Sequence, residues 1–198
     1  MHNSHKRVEK ERKHWEALAN SDQRDINISD PHVTVEKCID AIYPYIKEYE
    51  RVLEIGCGIR RITKPMAIKM PNSYIYGVDI SDSMIDVAEK NKPDNATFWV
   101  NDGRRLHASV EAIYSMTTFQ HIDEQGVQQY LYEIYESLLR GGVLRFQFVE
   151  GTEKVEFSWN YSMEEMKKML DNANLKIINY QQGLIEPTWT WITAKKYK

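Results

Sequence analysis

The sequence predicts an α/β fold, a mixed sheet of about seven strands, mostly parallel with a C-terminal antiparallel strand, and helices on both faces. Three observations predict it. From Arg51 onward, short apolar runs alternate with stretches of helical periodicity, the pattern of parallel strands joined by crossover helices. A glycine-spaced turn, Gly56-Cys57-Gly58, directly follows the first of those runs. Two closing runs are joined through Gln181-Gln182-Gly183 and read as an antiparallel pair, which large α/β sheets accommodate at one edge.

Residues 1–50 form a helical preface and residues 51–198 the sheet. In Lys6 to Lys13, basic residues alternate with Glu9 and Glu11, which reads as a solvated helix face. Asp30-Pro31 supplies an N-cap and a helix-compatible proline. Val35, Ile39, Ile42 and Ile46 then recur at helical spacing, with Pro44 a candidate kink. The strands are expected at Arg51 to Ile55, Tyr74 to Asp79, Thr97 to Val100, Val110 to Met116, Val143 to Val149, Leu175 to Tyr180 and Thr188 to Ala194. Ser81 is placed to cap the helix after the second strand, and Ser162 with Glu165 makes a capping box for a helix running to about Asn172.

With 198 residues, 42% of them hydrophobic and 28% charged, the chain is expected to bury one core as a single domain. A net charge of -3 gives no footprint for neutralising phosphates, so nucleic acid is not expected as a partner. Cys38 and Cys57 suit reduced thiols, and no metal-ligand spacing appears. The N-terminus lacks the apolar stretch of a signal peptide, and no apolar run approaches the ~20 residues of a membrane span, so a cytoplasmic location is expected.

Val52-Leu53-Glu54-Ile55-Gly56-Cys57-Gly58 is a buried-strand run that ends in a turn at the carboxyl end of the sheet, where open α/β folds bind ligands. Two positions without Cβ allow a sharp turn and close backbone approach, or simply tight packing. Asp79 ends the next strand roughly twenty residues on, where a carboxylate can accept both hydroxyls of a ribose or cap the following helix. Asn101-Asp102-Gly103 follows the third strand, and Asp102 there is either a turn residue or a partner for an adenine amine.

This ordered set resembles the class I S-adenosylmethionine-dependent methyltransferases from Val52 to Lys195. The match also includes the loop from Ile113 to Ile122 and the turn Leu138-Leu139-Arg140-Gly141-Gly142-Val143. The resemblance implies a Rossmann-like sheet with S-adenosyl-L-methionine as cofactor. Glu54 would lie near the methionine end, Asp79 would hold the ribose and Asp102 would face the adenine. The implied cofactor-binding set is Glu54, Gly56, Cys57, Gly58, Arg60, Asp79, Ile80, Asn101, Asp102, Gly103 and Thr117. N-terminal helices often cover the cofactor in this family, which makes the segment around Trp15 to Ile28 a candidate lid.

Two positions depart from the family pattern. Arg60 replaces the third glycine of the first motif, and either pairs with the cofactor's carboxylate or points into solvent. Glu111 stands where an aspartate is common at the start of the fourth strand. Thr117 to Asp123 should form the loop facing the transferable methyl group. His121 in that loop is the candidate catalytic base, or else packs against the cofactor or caps the helix near Asp123. Trp15, Tyr43, Tyr114, Phe119, Trp159 and Tyr161 are candidates for an acceptor pocket or for the core. The expected acceptor is a small-molecule oxygen or nitrogen. The rival readings are a non-catalytic protein that binds the cofactor or a partner, and a nicotinamide-dependent oxidoreductase. Arg61 counts against the last, because a dinucleotide turn needs a small residue there.

Overall fold

The computed structural model describes residues 2–21, 33–103, 105–155 and 157–198, with side chains from Lys6 onward. The expected cap at Asp30-Pro31 and the lid segment beyond Ser21 lie outside the described residues. Helix α1 spans His2–Ala19 and α2 spans Val35–Ile46, the latter capped by Thr34, whose hydroxyl accepts from the Lys37 amide. Pro44 lies inside α2. The rest alternates as expected: β1 (Arg51–Ile55), α3 (Thr63–Lys69), β2 (Tyr74–Asp79), α4 (Asp82–Glu89), β3 (Ala96–Val100) and β4 (Val110–Ser115). Then come α5 (Glu124–Ser137), β5 (Leu138–Val149), β6 (Lys154–Val155), β7 (Ser158–Trp159), α6 (Met163–Asn172), β8 (Lys176–Gln182) and β9 (Trp189–Lys195).

The seven-stranded sheet has the order β3-β2-β1-β4-β5-β9-β8. Its first five strands pair in parallel, and β9 runs antiparallel to both β5 and β8. Alternation along the strands sends side chains to two cores. Val52, Ile75, Ala112 and Tyr114 pack with α2, α3 and α4 on one face, and Leu53, Ile55, Ile113 and Leu144 pack with α5 and α6 on the other. The strand order reverses between β1 and β4, which puts the crevice at a topological switch point beside the glycine turn.

Two elements differ from expectation. The fifth strand starts at Leu138, because Leu138 pairs with Val110 before a bulge brings Val143 opposite Ala112. The bulge holds Gly141 at φ 81 and Gly142 where a Cβ would lie 2.7 Å from the Glu111 carbonyl, so the glycine pair sits inside the strand. The hairpin β6-β7 was not expected; strands of two residues leave no alternation to read. Glu111 accepts from the Glu50 and Arg51 amides and fixes the entry to β1.

Candidate cofactor and acceptor site

The turn after β1 is held from β2. The Gly56 and Cys57 amides both donate to the Val78 carbonyl, at 2.8 and 3.0 Å. Gly56 has φ 74, and a Cβ there would come within 2.1 Å of Thr118 Oγ1, so only glycine fits. Asp79 Oδ2 accepts from the Gly58 amide at 2.9 Å and Oδ1 from the Ser81 amide at 3.0 Å. A carboxylate offers about four acceptor positions, so two remain for ligand hydroxyls. Nothing lies within 4 Å of where a Gly58 Cβ would stand, leaving open space beside that carboxylate. Burial raises the Asp79 pKa, and its backbone hydrogen bonds oppose the rise.

Arg60 finds a partner within the protein. Its backbone is left-handed at φ 68, so the turn keeps the conformation that suits glycine although the residue has changed. Its guanidinium donates to the Val87 carbonyl in α4, which ties the turn to that helix. Arg61 reaches the Val33 carbonyl. Glu54 is buried, and its Oε2 accepts from the Thr63 and Tyr114 hydroxyls. Burial pushes its pKa up to about 7. Cys57 is also buried, with its Sγ directed at the Gly58 carbonyl.

At the end of β3, Asn101 is buried, donating to the Tyr130 hydroxyl at 3.1 Å and accepting from the Gly103 amide at 3.2 Å. Asp102 is exposed, and its Oδ1 accepts from the Arg105 amide at 2.8 Å, the turn role. Ile80 and Val8 both pack around Gly103.

The third part is the loop after β4. Thr117 sits at φ 53 with its amide donating to Gln147 Oε1 at 2.9 Å, and the Thr118 hydroxyl donates to the Ile55 carbonyl at 3.2 Å. Asp123 caps α5 by accepting from the Gly126 amide, so His121 does not cap it. His121 Nδ1 lies 2.6 Å from the Phe157 carbonyl, and its ring meets Trp15 edge-on at 4.9 Å. Burial lowers its pKa from the usual 6.5. Tyr114, Phe119 and Tyr161 are fully buried in the core and leave the pocket-wall set; Trp15, Tyr43 and Trp159 stay partly buried.

Helix α1 keeps Lys6, Glu9, Lys10 and Lys13 on a solvated face, as expected, and covers these strand ends with its other face. Val8 and Glu11 are buried, Arg7 pairs with Asp123, and Arg12 reaches Asp82 at 3.5 Å and the Asn101 carbonyl at 3.4 Å. Glu16 accepts from the Ser81 hydroxyl and from the Ser83 amide and hydroxyl. His14 stacks on Phe157 at 4.3 Å. Gln120, Gln147, Phe157 and, in α1, Arg7, Arg12, His14 and Glu16 were missed by sequence reasoning. The signal for Gln147 was available, since a polar residue between Phe146 and Phe148 interrupts an otherwise apolar strand interior.

Residues 52–142 match the model of a methyltransferase domain family, and that span holds the glycine turn, Asp79, Asn101 to Gly103 and the loop after β4. Over that span the chain is similar to methyltransferase domains. The chain is 35% identical over 99 residues to a malonyl-[acyl-carrier protein] O-methyltransferase of Bacillus cereus, covering 48% of this chain and 36% of that protein. It is 31% identical over 162 residues to malonyl-[acyl-carrier protein] O-methyltransferase 2 of Ilyobacter polytropus, covering 72% and 61%. The chain thus spans less than two thirds of the length of these curated relatives. Among solved structures, magnesium protoporphyrin IX methyltransferase from Synechocystis PCC 6803 shares the fold with a TM-score of 0.75 at 14% identity, over 93% of this chain and 97% of that one.

Proposed function

We propose that this protein transfers a methyl group from S-adenosyl-L-methionine to an oxygen of a small-molecule acceptor. One observation carries the reading. Asp79 holds the glycine turn through the Gly58 amide, keeps acceptor positions for two ribose hydroxyls, and borders open space over Gly58. Glu54, Gly56, Cys57, Gly58, Ile80, Asn101, Asp102, Gly103 and Thr117 complete the cofactor set, and Arg60 is assigned to holding the turn. When bound, the cofactor supplies a methyl group on a sulfonium. The chain's own part is to align the acceptor oxygen with it and to exclude water. The left-handed Arg60 preserves the turn, which weighs against the non-catalytic reading, and Arg61 weighs against a nicotinamide cofactor.

The acceptor we favour is a carboxylate of a small acid. The relatives are named for O-methylation of a malonyl group, and a carboxylate reaches the site already deprotonated. It needs no base, which agrees with a His121 ring turned to a backbone carbonyl. Buried, unpaired Cys38 and Cys57 agree with a cytoplasmic location, and the net charge of -3 offers no footprint for nucleic acid. Among the described residues no helix is long and apolar enough to cross a membrane. The test is incubation with methyl-labelled cofactor and a panel of small mono- and dicarboxylic acids, phenols and amines. Base-labile label, released as methanol from the acid arm, is expected; stable label confined to the amine arm contradicts the acceptor class.

A further inference from the structure

Three side chains and two backbone groups form one hydrogen-bonded chain beneath the loop that follows β4. The Thr117 amide donates to Gln147 Oε1 at 2.9 Å, and Gln147 Nε2 donates to Gln120 Oε1 at 3.3 Å. Gln120 Nε2 then faces His121 Nε2 at 3.4 Å, while His121 Nδ1 faces the Phe157 carbonyl at 2.6 Å. The two ends decide the direction of every link. A backbone amide can only donate and a backbone carbonyl can only accept, so Gln147 must present its oxygen to Thr117 and its amide nitrogen to Gln120. Gln120 in turn must present its nitrogen to the imidazole. Reversing either amide sets two donors or two acceptors face to face. His121 Nε2 therefore accepts, and Nδ1 carries the proton that the Phe157 carbonyl receives.

We propose that Gln147, through Gln120, is a positioning residue that holds His121 as the neutral Nδ1–H imidazole. His121 thereby serves as the post on which the loop, α1 and the β6-β7 turn meet, and not as a general base. Protonating Nε2 requires both glutamines to flip and costs the Thr117 amide its acceptor. Gln147 is 1% exposed in the interior of β5, so water does not replace that acceptor cheaply. The neighbouring titratable groups act in the same sense. His14 of α1 disfavours a second positive charge, and Lys10 of the same helix places its ammonium 6.0 Å from the Phe157 ring. Asp123, on the other side of the loop, is occupied by Arg7. The neutral ring packs edge-on against Trp15, and Phe157, held by its carbonyl, stacks on His14. The imidazole thus joins two covering elements that are distant from the loop along the chain.

This rests on the proposed function only in treating the loop as the acceptor side of the site, and the test needs neither cofactor nor acceptor. Long-range proton–nitrogen spectra of ¹⁵N-labelled protein distinguish the two neutral tautomers and the imidazolium, with the His121 signals assigned from His121→Gln. The expected result is the Nδ1–H tautomer from pH 6 to 8. Gln147→Met and the less buried Gln120→Met should each raise the His121 pKa by about one unit or more, since the hydrogen bond that favours the neutral form is lost. Gln120→Met keeps the test available if Gln147→Met does not fold. An Nε2–H tautomer in the parent protein, an imidazolium already formed at neutral pH, or an unmoved His121 pKa in the folded variants overturns the proposal. Cofactor titration of the same samples reports separately on the function: a relay that is present in a protein binding no S-adenosylmethionine contradicts the function and leaves the relay standing.

Discussion

The proposed function gives the Asp79 carboxylate two jobs, and substitution should expose both. The carboxylate satisfies the Gly58 and Ser81 amides, so Asp79→Ala leaves two donors unpaired and frees the turn as well as removing the ribose contacts. Each hydrogen bond to a charged group is worth about 1.5–3 kcal/mol, so Asp79→Ala should weaken S-adenosylmethionine binding at least tenfold. Asp102→Ala should weaken it less, because Asp102 is exposed and already accepts from Arg105. Titration of both variants checks the order, and equal losses would contradict the assignment. Arg60→Gly is a different case. It relieves a left-handed backbone worth roughly 1–2 kcal/mol and loses a charged donor to Val87 of similar worth. Stability should shift by under about 1 kcal/mol, with cofactor affinity unchanged; a tenfold loss of affinity would put the guanidinium on the ligand after all.

At the scale of elements, α1 and its docking surface carry a pH dependence. Burial raises the Glu11 pKa to about 7, opposed by Arg7 and assisted by Asp123. An acid whose pKa is raised in the docked state binds a proton there that the undocked helix releases. Docking is therefore strongest at low pH, weakens as pH rises from about 4.5 to about 7, and stays weak above that. The span corresponds to roughly 3 kcal/mol at most. Amide exchange in α1, corrected for its intrinsic rate, should be slower at pH 6 than at pH 8, and Glu11→Gln should flatten the difference. Protection that grows with pH would contradict this. The docking was not legible in the sequence for a physical reason. Arg7, Arg12 and Glu16 hold the helix by ion pairs and hydrogen bonds, and hydrophobic periodicity does not register those contacts. By contrast β1 and β2 were read to the residue, because central parallel strands are apolar on both faces and end at turn residues. The start of β5 was missed because Gly141-Gly142 looks like a connection and is a bulge. Within the site, the glycine turn and Asp79 were legible because each performs its task within one local segment. The Gln147 relay joins residues 27 to 36 positions apart, which no spacing rule connects.

The whole molecule depends on a buried cation at the far end of the sheet. Arg145 is fully buried on β5, and its hydrogen bonds go to neutral groups: the Ala41 carbonyl of α2, the Thr193 hydroxyl of β9 and Gln181 of β8. Its guanidinium lies 4.0 Å from the Tyr45 ring and 5.1 Å from that of Trp191. Burial lowers its pKa to about 10, which leaves it charged at neutral pH. It joins the helical preface to the antiparallel edge. Arg145→Ala should destabilise the fold by roughly 2–5 kcal/mol through lost packing and unpaired acceptors, and Arg145→Met by less because it refills the volume. Thermal unfolding checks the order, and an Arg145→Ala variant as stable as the parent would contradict it. The preface, sheet and closing pair thus act together to hold the switch-point crevice, and the central claim is that this crevice takes an adenosyl ligand. Isothermal calorimetry on the parent protein tests it most directly. Binding heat from S-adenosylmethionine and S-adenosylhomocysteine, with none from nicotinamide dinucleotides, is the predicted result. Tight binding of a nicotinamide dinucleotide, with no heat from either adenosyl ligand, would contradict it.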